Sequence, residues 1–349
     1  MILNDGICLN QEKGWFLGMK TPMLYEVSMS DFEINPLCMI PAKSGISERV
    51  SQKIIYKNDK LYILPDRSKT LYILDLNNVD IAEIDVPEAF ARPCMLNGWF
   101  DKQILYCYMH LDDSIASFDI ETKKFLGTHM IFENGKKGAF ESAYVDGCCY
   151  FISKDDNRIC KYNLIEDKKL FVELDRNAIG FNTIVYQPMN NMMYVTGLNE
   201  DIYIWSVETN EIIDVIRIKD GYEHTSKEGF RYFSSHVCGD KIAFLSRNFD
   251  ENRDSHIVLL QNDSNYDVMH LDGTKGNNQN IIETVYEDKL VFFNINNNEL
   301  YRVNVDLRRI DKIAPRTVNK RNTNRINSGL ILKEDEFTSL KWFVEGLTI

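Results

Sequence analysis

One pattern returns along nearly the whole of this chain: a polar turn, an apolar strand, a second polar turn, then a strand that ends in a polar residue. Asp59-Lys60-Leu61-Tyr62-Ile63 followed by Thr70-Leu71-Tyr72-Ile73-Leu74-Asp75 is one copy, and Asp288-Lys289-Leu290-Val291-Phe292 followed by Glu299-Leu300-Tyr301-Arg302-Val303-Asn304 is another. Taking the first apolar residue of each copy as an anchor gives Trp15, Leu61, Ile104, Cys149, Met193, Ile242 and Leu290. The steps between anchors are 46, 43, 45, 44, 49 and 48 residues. A near-constant period means one supersecondary unit, stacked on copies of itself to bury faces that a single unit leaves exposed.

Each copy has room for four strands. Around Leu61 these are Lys53-Ile54-Ile55-Tyr56, the two strands already named, and Ile81-Ala82-Glu83-Ile84-Asp85-Val86. The third strand closes on Ser28, Asp75, Asp119, Asn163, Ser206, Gln261 or Asn304. Short polar side chains there bond nearby backbone and start the next turn. Four antiparallel strands every 40 to 50 residues predict an all-β chain, a seven-bladed β-propeller over residues 1–315; six or eight blades fit the same pattern. Between Gly6 and Pro315 no stretch of ten or more residues carries a helical period, which argues against an α/β fold. The basic pairs Lys123-Lys124 and Lys168-Lys169 read as solvated hairpin turns.

The fifth copy, Met193-Tyr194-Val195-Thr196-Gly197 through Asp201-Ile202-Tyr203-Ile204-Trp205-Ser206, resembles the Tyr-Val-Thr-Asn-type propeller repeat, which is similar to the quinoprotein-like and kelch-like propellers. As a pattern the resemblance runs over residues 6–315. It implies a fold and leaves the chemistry open, because propellers serve as binding modules and as enzymes.

Residues 316–349 break the pattern. A basic stretch with Arg316, Lys320, Arg321 and Arg325 precedes the apolar run Gly329–Leu332. The segment from Glu334 to Gly346 then reads as a short C-terminal helix, with acidic residues at its start and Phe337, Leu340, Trp342, Phe343 and Val344 on a broad apolar side. Such a helix either docks on the propeller or offers Phe337, Trp342 and Phe343 to a partner.

A net charge of −12 and the lack of a basic stripe in the repeats disfavour nucleic acid and anionic membrane surfaces as partners. The N-terminus has no signal-like basic and apolar regions, and no apolar run approaches a membrane span, so the expected location is the cytoplasm. The eight cysteines form no Cys-x-x-Cys pair and mostly sit in apolar runs, as packing residues do.

No short motif names a reaction. The six histidines lack metal-ligand spacing. Asp250-Glu251-Asn252-Arg253-Asp254 has a calcium-loop spacing, but Ser255 and Gln261 stand where that loop needs Gly and Glu. No metal and no cofactor are therefore expected. Ligands of a propeller bind where the inner strands are entered, and those segments hold Arg49, Arg92, Glu141, Asn182, Arg231, His236 and Glu283. The expected function is binding of a protein partner or a small polar ligand at this channel mouth. The alternative is a lyase or hydrolase on a sugar-like or peptide-like substrate, with His236 as acid or base and Glu141 or Glu283 as its carboxylate. Oligomeric state stays open.

Overall fold

The protein was analysed as a computed structural model that describes residues 8–9, 12–17, 22–31, 33–41, 50–90, 92–132, 138–153, 157–173, 180–197, 201–218, 232–246, 255–261, 265–271, 281–294, 299–306, 309–313 and 316–317. These form seven antiparallel sheets, the blades of a β-propeller, each threaded in sequence order from its inner to its outer strand. Blade 1 is Cys8–Leu9, Lys13–Leu17, Met23–Ser28 and Glu33–Met39. Blade 2 is Ser51–Lys57, Lys60–Pro65, Thr70–Asp75 and Ile81–Asp85; blade 3 is Met95–Asp101, Ile104–Met109, Ser114–Asp119 and Lys124–Met130. Blade 4 is Gly138–Val145, Cys148–Ser153, Arg158–Asn163 and Lys168–Glu173; blade 5 is Phe181–Gln187, Met192–Gly197, Asp201–Ser206 and Ile212–Arg217. Blade 6 is Tyr232–Cys238, Lys241–Ser246, Ser255–Leu260 and Tyr266–Leu271; blade 7 is Ile281–Tyr286, Lys289–Asn294, Glu299–Asn304 and Arg309–Ile313. There is no helix among the described residues, and the segment read as a C-terminal helix lies outside them.

Both faces of a blade are covered by neighbours, so alternate residues of one strand serve two cores. In blade 2, Leu61 and Ile63 pack on Trp15, Leu17 and Leu24 of blade 1, while Tyr62 and Leu64 pack on Leu105 and Cys107 of blade 3. This explains runs such as Lys60–Pro65, buried continuously after its first residue and free of the apolar-polar alternation of a one-sided sheet. Further apolar layers of this kind join blades 3 and 4, 4 and 5, 5 and 6, and 6 and 7. Arg316–Thr317 pairs in parallel with Glu33 and Ile34, adding a fifth strand to the outer edge of blade 1 and tying the end of the repeats to their beginning.

The polar residues that end the third strands start the turns as expected. The Asp119 carboxylate accepts the Glu121 and Thr122 amides at 3.0 and 2.9 Å, and the Asn163 side chain accepts those of Ile165 and Glu166 at 3.0 and 2.9 Å. Asp75, Ser206 and Asn304 accept turn amides in the same way. The Thr122 amide bond, first among several, holds the Asp119 carboxyl below its ordinary pKa.

Two of the seven anchors need correcting. Lys13, Lys60, Ile104, Cys148 and Met192 each face the polar residue that ends the third strand. The structurally equivalent anchors are therefore Gly14 and Leu105, not Trp15 and Ile104, and the first steps become 47, 44, 44 and 44 residues. Trp15 is one residue further on, and its ring turns to blade 2, where it stacks on Tyr56 with centroids 5.3 Å apart.

The hairpins joining first to second strands use left-handed backbone. Asn58 and Asp59 have φ of 50° and 55°, and Glu287 and Asp288 have 48° and 56°. Asn and Asp tolerate this region better than Glu, whose carboxylate meets Lys289 at 3.2 Å in an exposed pair of small net worth. Glu287→Asn is expected to raise stability by about 0.5–1 kcal/mol, read as a higher urea midpoint at an unchanged slope.

Candidate functional site

The inner strands of blades 2 to 6 share an irregularity near their starts. Register shifts between Ser51 and Lys53, between Gly138 and Ser142, between Phe181 and Thr183 and between Tyr232 and Ser234, and another opposite Tyr108 and Met109 in blade 3. Each extra residue is a β-bulge, which re-aims the side chain it carries. Glu141 is in the widest of these shifts and Asn182 in the next.

From there Glu141 crosses to two further blades. Its carboxylate accepts the Ile184 amide of blade 5 at 3.1 Å, and the amide and hydroxyl of Ser235 of blade 6 at 3.1 and 2.8 Å. Inner strands are sheet edges, so alternate backbone groups point into the channel with no strand to pair them. Glu141 satisfies two such amides with one ionised group, and charge-assisted bonds of this kind are the strong ones.

Other contacts reach across by about one repeat. Asn97 of blade 3 donates to the carbonyl and hydroxyl of Ser142, both at 3.2 Å. Asn182 donates to the Tyr232 carbonyl at 2.8 Å, and Gln187 to the Gly239 carbonyl at 3.1 Å. The Asn182 Oδ1 and Ser234 Oγ atoms are buried here without a hydrogen-bond partner. Such atoms are natural points for a water or a polar ligand.

Of the residues expected at the mouth, the structure thus brings Glu141 and Asn182 into one belt over blades 4 to 6. His236 is on the inner strand of blade 6, opposite Ala243 and beside Ser235. Since successive side chains of a strand point to opposite faces, His236 points away from the face on which Ser235 meets Glu141. Arg92, in the link from blade 2 to blade 3, is held by the fully buried Asp66, with Nε and Nη2 at 2.8 and 2.7 Å from Oδ1. Glu283 lies on the inner strand of blade 7, opposite Phe292. Arg49, Arg231, Phe337, Trp342, Phe343 and the calcium-like segment 250–254 lie outside the described residues. Ser235, Asn97, Ser142 and Asp66 were not singled out by the sequence. For the first three the one signal is a position on an inner strand, beside the segment that enters it; Asp66, in the hairpin after Lys60–Pro65, carries none.

Chemistry elsewhere is quiet. Burial pushes the Cys38, Cys160 and Cys238 thiols up to about 12, so at neutral pH they pack and do not attack. Among the described residues no group of three or more His, Cys, Asp and Glu gathers as a metal site.

The rim is different. Every exposed large hydrophobic side chain among the described residues belongs to blades 3, 4 and 5: Leu111, Leu126, Met130, Ile165, Leu170, Met189, Ile213 and Val215. Two of them owe their exposure to bulges. In blade 3 the register passes from Ser117–Gly127 to Phe118–Phe125, which leaves Leu126 as the extra residue, 53% exposed. In blade 5 it passes from Ile204–Asp214 to Trp205–Ile212, which leaves Ile213, 54% exposed. Blade 1 uses the same device, but there the extra residue, Leu37, is buried in the core shared with blade 2.

No protein-family model and no curated protein sequence matches the chain. Solved structures do. The WD40 repeats of RRP9 are similar with a TM-score of 0.58 at 14% identity, over 80% of this chain and 83% of that one. BamB from Moraxella catarrhalis gives 0.53 at 13% identity, over 83% and 80%. Kuenenia stuttgartiensis hydrazine synthase gives 0.52 at 12% identity, over 71% and 74%. At these identities the likeness is one of fold: the chain is a seven-bladed β-propeller.

Proposed function

We propose that this chain is a cytoplasmic, non-catalytic propeller that binds a partner protein through the outer strands of blades 3 to 5. The observation that carries the reading is that, among the described residues, the exposed large hydrophobics are confined to these three neighbouring blades, five of the eight on outer strands. Single exposed apolar residues are ordinary, but a cluster on adjoining elements marks an interaction surface. The outer strands are also open edges, and the pairing of Arg316–Thr317 on blade 1 is an example of such an edge taking an added strand. An extended segment with alternate apolar residues, laid along one of these edges, would pair its backbone and bury Leu126 and Met130, or Ile213 and Val215. That the structural neighbours include WD40 repeats agrees with a scaffold role.

The test places a photo-crosslinking amino acid at positions 126, 170 and 213, with position 83 on the outer strand of blade 2 as control. Capture of one partner from the first three positions and not from 83 supports the rim. With that partner purified, the triple variant Leu126→Lys, Leu170→Lys, Ile213→Lys is expected to weaken binding at least tenfold at an unchanged melting temperature. Unchanged affinity overturns the reading. Crosslinks only between copies of this chain would replace it with self-association.

A second reading, a small polar ligand at the channel mouth, rests on the buried Asn182 Oδ1 and Ser234 Oγ. A polar metabolite that raises the melting temperature of the native chain but not of Asn182→Ala would favour it.

A further inference from the structure

Blades 6 and 7 depart from the first five on one face. The third residue of each second strand turns to the following blade; in blades 1 to 5 it is aromatic, Trp15, Tyr62, Tyr106, Tyr150 and Tyr194, and in blade 6 it is Ala243. These rings fill the seams; Tyr62 meets Phe100 of blade 3 and Tyr150 meets Trp205 of blade 5. Blade 7 has Val291 there. Its Leu290, Tyr301, Val303 and Ile310 pack on blade 6, so Lys289, Arg302, Asn304, Arg309 and Asp311 share the opposite face, on the side where the ring closes. These five residues line a cleft of about 190 Å³, far above the ~10–15 Å³ that one water needs.

The charge of this cleft is opposite to that of the molecule. Three cations stand around one carboxylate in a chain of net charge −12. Asp311 holds both arginines, taking Nε of Arg309 on Oδ1 at 2.6 Å and Nη2 of Arg302 on Oδ2 at 3.2 Å. Lys289 meets Glu287 at 3.2 Å. A guanidinium has five donors and an ammonium three, so each cation keeps most of its donors for a further acceptor. A carboxylate that fixes the planes of two arginines beside a lysine prepares them for a tetrahedral dianion, which arginine takes with two parallel bonds.

We propose that the cleft on blade 7 binds a phosphate group, carried by a small metabolite or by a phosphorylated side chain, through Lys289, Arg302 and Arg309. The site is separate from the rim of blades 3 to 5 and does not depend on that reading.

The test titrates the full chain with inorganic phosphate at low chloride, following ³¹P line width, with acetate as the control anion. Phosphate is expected to bind at least tenfold more tightly than acetate. Arg302→Gln with Arg309→Gln should abolish the broadening, and Lys289→Gln should weaken it severalfold. Lys124→Gln on blade 3 should change nothing. Arg309 is largely exposed, so Arg309→Gln alone keeps the test decisive if the double variant fails to fold. Glycerol 3-phosphate and a short phosphoserine peptide then compete; the tighter one assigns the source. Equal broadening in wild type and Arg309→Gln, or acetate binding as well as phosphate, overturns the proposal.

Discussion

Glu141→Ala is expected to lower the stability of the propeller by about 2–4 kcal/mol, because it strands donors that have no other strand to meet. Ile184 and Ser235 are 3% and 7% exposed, and their amides both end on this carboxylate. A buried amide left without an acceptor costs about 1–3 kcal/mol, and the Ser235 hydroxyl loses its 2.8 Å bond as well. The loss should be local before it is global. Amide exchange at Ile184 and Ser235 should speed up more than at Val195 or Ala243, which lie on second strands. Glu141→Gln keeps an acceptor oxygen and loses the charge, so it should fall between wild type and alanine. A Glu141→Ala midpoint within about 0.5 kcal/mol of wild type would show that the strap carries no load. The arrangement also bears on the expected pairing of Glu141 with His236 as catalytic partners. A carboxylate occupied by three donors, on the face of the strand that His236 turns away from, is built as a clamp between blades.

The repeat was legible because each blade is covered on both faces. That requirement writes a continuous apolar run into Lys60–Pro65 and its counterparts, and the polar terminator recurs because it has local work to do, as the Asp119 bonds show. Local devices of this kind leave local signals. In the belt of the channel Glu141 and Asn182 were legible only by their place in segments that enter the inner strands; their contacts were not, since Glu141 reaches residues 43 and 94 positions away, and the bulge that aims it is a matter of register, which composition does not encode. The rim was hidden for a different reason. Ile212-Ile213-Asp214-Val215-Ile216 reads like any buried strand, yet Ile216 is covered while Ile213 and Val215 face solvent. Exposure of an outer strand depends on what lies beyond it, and the sequence of the strand is silent about that. The two slipped anchors follow from the same two-faced burial: Trp15 and Gly14 are both core positions, but they serve opposite neighbours, and an apolar pattern does not tell the two faces apart.

Trp205→Ala is expected to be the most damaging single change in the seam behind that rim, costing about 3–5 kcal/mol. The side chain is fully buried between blades 4 and 5 among Tyr150, Ile152, Ile184 and Met193, with its ring edge-on to Tyr150 at 5.5 Å. These neighbours belong to three different strands, so they do not collapse together into the space it leaves, and cost rises with the cavity that remains. Trp205→Phe should behave otherwise. The indole Nε1 is buried without a hydrogen-bond partner, a standing penalty of about 1–3 kcal/mol that phenylalanine removes. That relief offsets much of the smaller cavity, and the expected cost of Trp205→Phe is about 1 kcal/mol or less. The pair of variants separates packing from polarity: equal losses would mean that the N–H is satisfied after all and that the offset is absent. The residue opposite Trp205 is Ile212, next to the bulge that projects Ile213. Loosening Trp205 should therefore weaken partner binding and stability together, whereas Ile213→Lys should weaken binding with a stability change below about 0.5 kcal/mol. Measured side by side by urea unfolding and by affinity for the crosslinked partner, the two substitutions distinguish the residue that supports the surface from the residue that is the surface.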